Sequence, residues 1–99
     1  MKIEDLARKL LDDIDTMTEL LYQNREKEGY ALLDPVLGEL QNLITVVASF
    51  QQENGIAILD HEKMLASVGE AFQAMQGKDH VLVADIFSYI VREQLEQLV

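Results

Sequence analysis

The 99 residues carry eighteen acidic and eight basic side chains, a net charge of −10, with 48% hydrophobic residues, one proline and no cysteine. That hydrophobic share separates the chain from disordered sequences, and its length suits a single core, so one domain over residues 1–99 is expected. The negative charge removes the attraction that dominates nonspecific nucleic-acid binding and disfavours anionic lipid, while the absence of thiols excludes disulfides and thiolate catalysis and fits a reducing, cytoplasmic setting.

Met1–Asp5 is charged and leads straight into an amphipathic pattern, so no secretory leader is expected there. Ile3, Leu6, Ala7, Leu10, Leu11, Ile14, Met17 and Leu21 recur at helical spacing, with Asp5, Arg8, Asp12, Asp15 and Glu19 on the opposite side, which predicts a first helix. The polar stretch Asn24–Gly29 interrupts the stripe and predicts a connection.

The start of the second helix has two readings. Asp34-Pro35 resembles an N-cap followed by proline at the first helical position. Tyr30 and Leu33, however, lie in phase with Leu37, Leu40, Ile44 and Val47, so a helix could begin near Lys27 and tolerate or kink at Pro35; some helix before Pro35 is the favoured reading. It should run to about Gln52 and close at Asn54-Gly55, where glycine supplies a left-handed conformation. No lysine or arginine occurs between Glu28 and Glu62, and the outer side of this helix is neutral polar: Asn42, Thr45, Ser49 and Gln52. Such a side either faces solvent or lies under another segment or subunit, since charge is depleted at interface centres.

A third helix is predicted to start at Asp60 as N-cap, with Leu59 and Met64 at the spacing of a hydrophobic staple. Its expected apolar side is Met64, Leu65, Val68, Ala71, Phe72 and Met75, and Gly77 marks its end. Asp79 then caps the last helix after a turn so short that the two should form an antiparallel hairpin. Four helices joined by short connections predict an all-α, up-down antiparallel bundle. Leu10, Ile14, Leu40, Ile44, Val47, Val68, Phe72 and Ile90, central in their stripes, are expected to share its core.

The last helix is apolar on two sides. Leu82, Val83, Ile86, Tyr89 and Ile90 form one row; Ala84, Phe87, Val91, Leu95 and Leu98 form another that stays apolar almost to the end. The nearly uncharged run Val81–Val91 has about half the length a membrane span needs, so membrane insertion is not expected. One arrangement packs the first row into the bundle and covers Ala84, Phe87, Val91, Leu95 and Leu98 with a second subunit or a partner helix; the other flanks this helix with helices one and two and buries everything internally.

No residue pattern carries chemistry. Asp12, Asp13 and Asp15 lack the central glycine and distal glutamate of a calcium loop, and neither His61 nor His80 has a second ligand at i+3 or i+4. Ser49, Ser67 and Ser88 sit in no glycine-flanked elbow, and the five glycines form no phosphate-cradling loop. Met17, Met64 and Met75 read as core filling, and Asp85 and Tyr89 as a half-exposed edge. Catalytic residues, metal ligands and cofactors are therefore not expected.

A small, acidic, cysteine-free helical chain ending in the amphipathic Leu82–Leu98 helix resembles the flagellar and type III export chaperones. That resemblance implies a cytosolic bacterial protein without catalytic residues that binds a partner's amphipathic terminus; it assigns no individual residue. The expected function is a noncatalytic interaction protein, a chaperone-like binder of helices or a subunit of a homo-oligomer such as a dimer. The alternative is a small-molecule or metal-binding bundle, which would need a polar constellation inside the core.

Overall fold

Residues 3–99 are described by the computed structural model, and every regular element among them is helical. α1 spans Ile3–Tyr22, α2 Glu26–Ala31, α3 Leu33–Asn54 and α4 His61–Gln76. α5 (His80–Asp85), a π-helical turn (Ile86–Val91) and α6 (Arg92–Glu96) run on without a break as one C-terminal helix. With α2 and α3 nearly continuous, four antiparallel rods make an elongated bundle of 43 × 22 × 18 Å. α1 packs on α2, α3 and the C-terminal helix, whereas α4 packs on the C-terminal helix and barely meets α3.

The α1 stripe is buried as its periodicity demands: Ala7, Leu10, Ile14, Met17 and Leu21 are fully covered. The helix closes with Asn24 in the left-handed region, φ 63°. There the Arg25 amide donates to the Leu20 carbonyl and the Asn24 amide to Leu21, a Schellman closure that satisfies two of the orphan carbonyls. The connection is shorter than the polar stretch suggests, because Glu26–Ala31 is already helical. Gly29 turns into α1, where a Cβ would stand 2.7 Å from Leu21 Cδ2, so only glycine lets α2 lie this close.

The favoured reading of the second helix holds in outline. α2 stops at Ala31 and α3 begins at Leu33, with Asp34 inside the first turn and no side-chain cap at Leu32. Pro35 explains the break: it has no amide to donate to the carbonyl four residues back, and its ring crowds that carbonyl, which belongs to Ala31. α3 ends with Gly55 at φ 67°, the left-handed conformation expected there.

In the next connection, Gln51 Oε1 accepts the Ile58 and Leu59 amides at 3.0 and 3.1 Å and holds the loop against the end of α3. Asp60 caps α4 by accepting the Lys63 amide at 3.0 Å, and both residues of the staple, Leu59 and Met64, are buried. The inward side of α4 is nevertheless rotated from the one expected. Met64, Ser67, Ala71 and Ala74 face the core, while Leu65 is 65% and Phe72 39% exposed. Small side chains let α4 approach the C-terminal helix closely. Burying Ser67 costs little, because its hydroxyl donates to the Lys63 carbonyl at 2.8 Å and accepts from Gln94 Nε2 at 3.2 Å.

The C-terminal helix starts at Asp79, whose carboxylate accepts the Leu82 amide at 3.0 Å. Lying between α1 and α4, it buries Val83, Ala84, Ile86, Phe87, Val91 and Leu95, members of both apolar rows. The residues left out are Leu82, Tyr89 and Ile90. The proposed common core is corrected accordingly: Leu10, Ile14, Leu40 and Val47 are buried and Ile44 and Val68 half-buried, but Phe72 and Ile90 lie at its edge. Phe87, Leu43, Val36 and Met17 fill the centre instead.

Candidate functional site

Charge is concentrated on α1, and there it ties helices together. Lys9 Nζ lies 2.8 Å from both Asp13 Oδ2 and Glu39 Oε1, bridging α1 to α3; Arg92 Nη1 lies 3.2 Å from Asp15 Oδ1, bridging α1 to the C-terminal helix. The hydrogen bond from Lys9 holds the Asp13 carboxyl below its ordinary range, while burial, with Asp13 nearby, pushes Glu39 up. Asp13 and Asp15 of the acidic triplet thus supply ion pairs, and no group of three or more acidic, histidine or cysteine side chains among the described residues is placed to hold a metal.

His80 and Tyr22 also tie helices together, whereas the buried Nε2 of His61 has no hydrogen-bond partner. His80 bridges the helix ends, with Nε2 2.8 Å from Asn24 Oδ1 and Nδ1 3.2 Å from Glu26 Oε1. Tyr22 donates to Asp85 Oδ1 at 2.5 Å, so Asp85 belongs to the contact between α1 and the C-terminal helix, and Tyr89 points outward. One buried polar pair crosses the interior, where Gln94 Nε2 reaches Ser67 and, at 3.3 Å, the Ile90 carbonyl.

The row expected to meet a second subunit does not reach the surface. Ala84, Phe87, Val91 and Leu95 are covered by the chain's own helices, and Leu98 is half-buried against the same core. The correction has a simple cause: α1 and α4 flank the C-terminal helix on its two apolar sides. Neither arrangement expected from sequence is adopted in full: this row is buried internally, but between α1 and α4 rather than helices one and two, and Leu82, Tyr89 and Ile90 of the other row remain exposed.

A different surface is left uncovered. Where α3 and α4 fail to close on each other, a narrow crevice runs between them, with Leu33 and Leu37 on one wall, Val68, Phe72 and Met75 on the other, and Val83 and Phe87 beneath. It is too narrow to admit a water molecule. Along Pro35–Gln52 and Met64–Gln76 its walls carry little charge, while exposed Asp34 and Glu62 stand in the first turns of α3 and α4. The single ionisable residue from Pro35 to Gln52 is Glu39, which turns to Lys9; the single charge from Met64 to Gln76 is Glu70, which borders the opposite flank of α4 beside Leu82 and Ile90.

Two exposed glycines each follow a residue that lines the crevice. Gly38 follows Leu37 and Gly69 follows Val68, both inside helices, and a Cβ added at either would meet nothing within 4 Å. A glycine in a helix interior costs about 1 kcal/mol relative to alanine. No close approach within the chain accounts for that cost here, in contrast to Gly29.

The segment behind the face is unusually apolar. Glu26–Asn54 is long and apolar enough to cross a membrane by length and composition, yet only 28% of its most apolar window is buried within the bundle. Within it, Leu40–Gln52 is wholly uncharged and longer than the nearly uncharged run Val81–Val91.

No curated protein and no solved structure matches the chain. Over its whole length, residues 1–99, it matches one family, and it therefore belongs to the family described as a domain of unknown function, DUF8042.

Proposed function

We propose that the protein is a noncatalytic helical interaction protein, cytoplasmic and bacterial, that buries the α3–α4 face against another helical surface. The observation that carries this reading is the combination of an apolar crevice with walls of low charge across two helices, in a chain whose net charge is −10. A solvated face of so acidic a protein would ordinarily be charged, and depletion of charge with exposed Leu65 and Phe72 is the composition of an interface centre. The surface supplied to the partner is helical, as in the export chaperones that the sequence resembles, and the mode of binding is packing of helix upon helix.

Affinity purification from the native cell, read by mass spectrometry, tests this when wild type is run beside Leu65→Glu. Leu65 is 65% exposed, so the variant keeps the core intact. Wild type should retain a defined protein, heterologous or a differently tagged copy of itself, that the variant loses. Equal recovery by both would remove the face from consideration. A metal or small molecule that co-purifies with both would favour the alternative of a ligand-binding bundle.

A further inference from the structure

We propose that Asn54 is a site of spontaneous deamidation, and that Gln51 sets how fast the reaction runs in the folded chain. The site lies away from the α3–α4 crevice, and the proposal stands whether or not that crevice is an interface.

Of the three asparagines, Asn24 is followed by Arg25, Asn42 by Leu43 and Asn54 by Gly55. At Asn54 alone, the next residue has no side chain to hinder its own nitrogen. Asn54 ends α3, Gly55 caps it at φ 67°, and every residue from Gln52 to Ala57 is exposed, so water and base reach this peptide bond. A Cβ added at Gly55 would meet nothing within 4 Å, so no neighbouring group crowds the glycine.

The chemistry needs only solvent. Base removes the proton of the Gly55 amide, and the nitrogen attacks Asn54 Cγ. The new N–Cγ bond closes a five-membered succinimide as the Cγ–Nδ2 bond breaks and ammonia leaves, carrying a proton taken from water. Water then opens the ring. Cleavage between the nitrogen and Cγ gives aspartate; cleavage between the nitrogen and the main-chain carbonyl carbon gives isoaspartate, whose backbone is one methylene longer.

The fold opposes the first step. Ring closure requires Asn54 to leave the helical backbone conformation, whereas the Gly55 amide donates to the Gln51 carbonyl at 2.8 Å and Asn54 Nδ2 to the Phe50 carbonyl at 2.9 Å. Gln51 holds the turn from both ends, because its Oε1 also accepts the Ile58 and Leu59 amides. The reaction therefore proceeds from the fraction of chains in which the last turn of α3 has opened, and these bonds set that fraction. Either product places a carboxylate next to Glu53 at the C-terminal end of α3, where the helix dipole disfavours it. Isoaspartate also shifts the Gly55 amide out of register with the Gln51 carbonyl, and so loosens the loop that carries Leu59 to its buried place before α4.

The test is peptide mapping by mass spectrometry of the full chain aged in mildly alkaline buffer, folded and in urea. Asn54 should gain one mass unit as a mixture of aspartate and isoaspartate, more slowly when folded than in urea, and ahead of Asn24 and Asn42 in both. Gln51→Leu removes the side-chain acceptor and should speed the folded reaction about fivefold or more, the change in opening expected when the net contribution of two hydrogen bonds is lost. Gln51→Glu, which keeps an acceptor, should stay near the wild-type rate. In urea all three chains should react alike, which separates the hold on the turn from any direct effect of the side chain. Conversion without isoaspartate, conversion at Asn24 or Asn42 as fast as at Asn54, or none at Asn54 in the folded chain overturns the site. A Gln51→Leu chain that reacts at the wild-type rate, or a wild type equally fast folded and in urea, overturns the part assigned to Gln51.

Discussion

Lys78 sits in the left-handed region at φ 59°, a conformation that costs an L-residue with a Cβ about 1–2 kcal/mol and costs glycine almost nothing. The sequence places Gly77 at the end of α4, but Gly77 itself has an ordinary φ of −78°. The closure is a Schellman motif in which the Asp79 amide donates to Ala74 and the Lys78 amide to Met75, and the left-handed position is one residue later than the glycine. Lys78→Gly is therefore expected to stabilise the fold by about 1 kcal/mol, the strain released less the added freedom of the unfolded chain. Urea unfolding of the two proteins gives the sign, and a variant less stable than wild type would show that the turn carries no strain.

At the scale of the element, α4 teaches most about what a single sequence conveys. Its ends were legible because Asp60 and the Leu59–Met64 pair act locally, through one amide and one staple. Its inward side was not, because the longest apolar stripe and the side that packs best are different things. Ser67, Ala71 and Ala74 win by letting the C-terminal helix come near, and that choice depends on Gln94, 27 residues away, which no periodicity within α4 reveals. The same non-local cause hid the fate of Ala84, Phe87, Val91 and Leu95: their double-sided pattern correctly demanded two neighbours, but α4 turned out to be the second one. The uncharged outer side of α3 could be read directly, from the missing lysines and arginines, though the adjoining strip of α4 could be recognised only once its rotation was known. The rotation also reorders two truncations. Phe87→Ala, at a site 1% exposed, should cost about 3–5 kcal/mol, whereas Phe72→Ala, 39% exposed, should cost less than half as much. Chemical denaturation of both variants checks the order, and equal losses would return Phe72 to the core.

For the whole molecule, the helix pairings set the response to alkaline pH. Burial, reinforced by neighbouring acids, raises the hydroxyls of Tyr22 and Tyr30 above their ordinary value near 10: Asp85 beside Tyr22, Glu26 and Asp79 beside Tyr30. A group raised in the folded state contributes stability that is complete below its unfolded value and is lost as pH rises through the folded one. Stability should accordingly fall above about pH 10, and Tyr22→Phe with Tyr30→Phe should flatten that fall. Unfolding free energies measured from pH 8 to 11.5 decide it; parallel profiles would mean that the two hydroxyls titrate alike in folded and unfolded chains. The pairings also bear on synthesis. Because α4 leans on the C-terminal helix and scarcely on α3, it has no docking site while the ribosome still holds residues 80–96. During that interval α1 and α3 can pair, but α4 waits with Met64 and Ala71 exposed, and a nascent chain halted before the C-terminal helix would leave that inward side of α4 unsheltered.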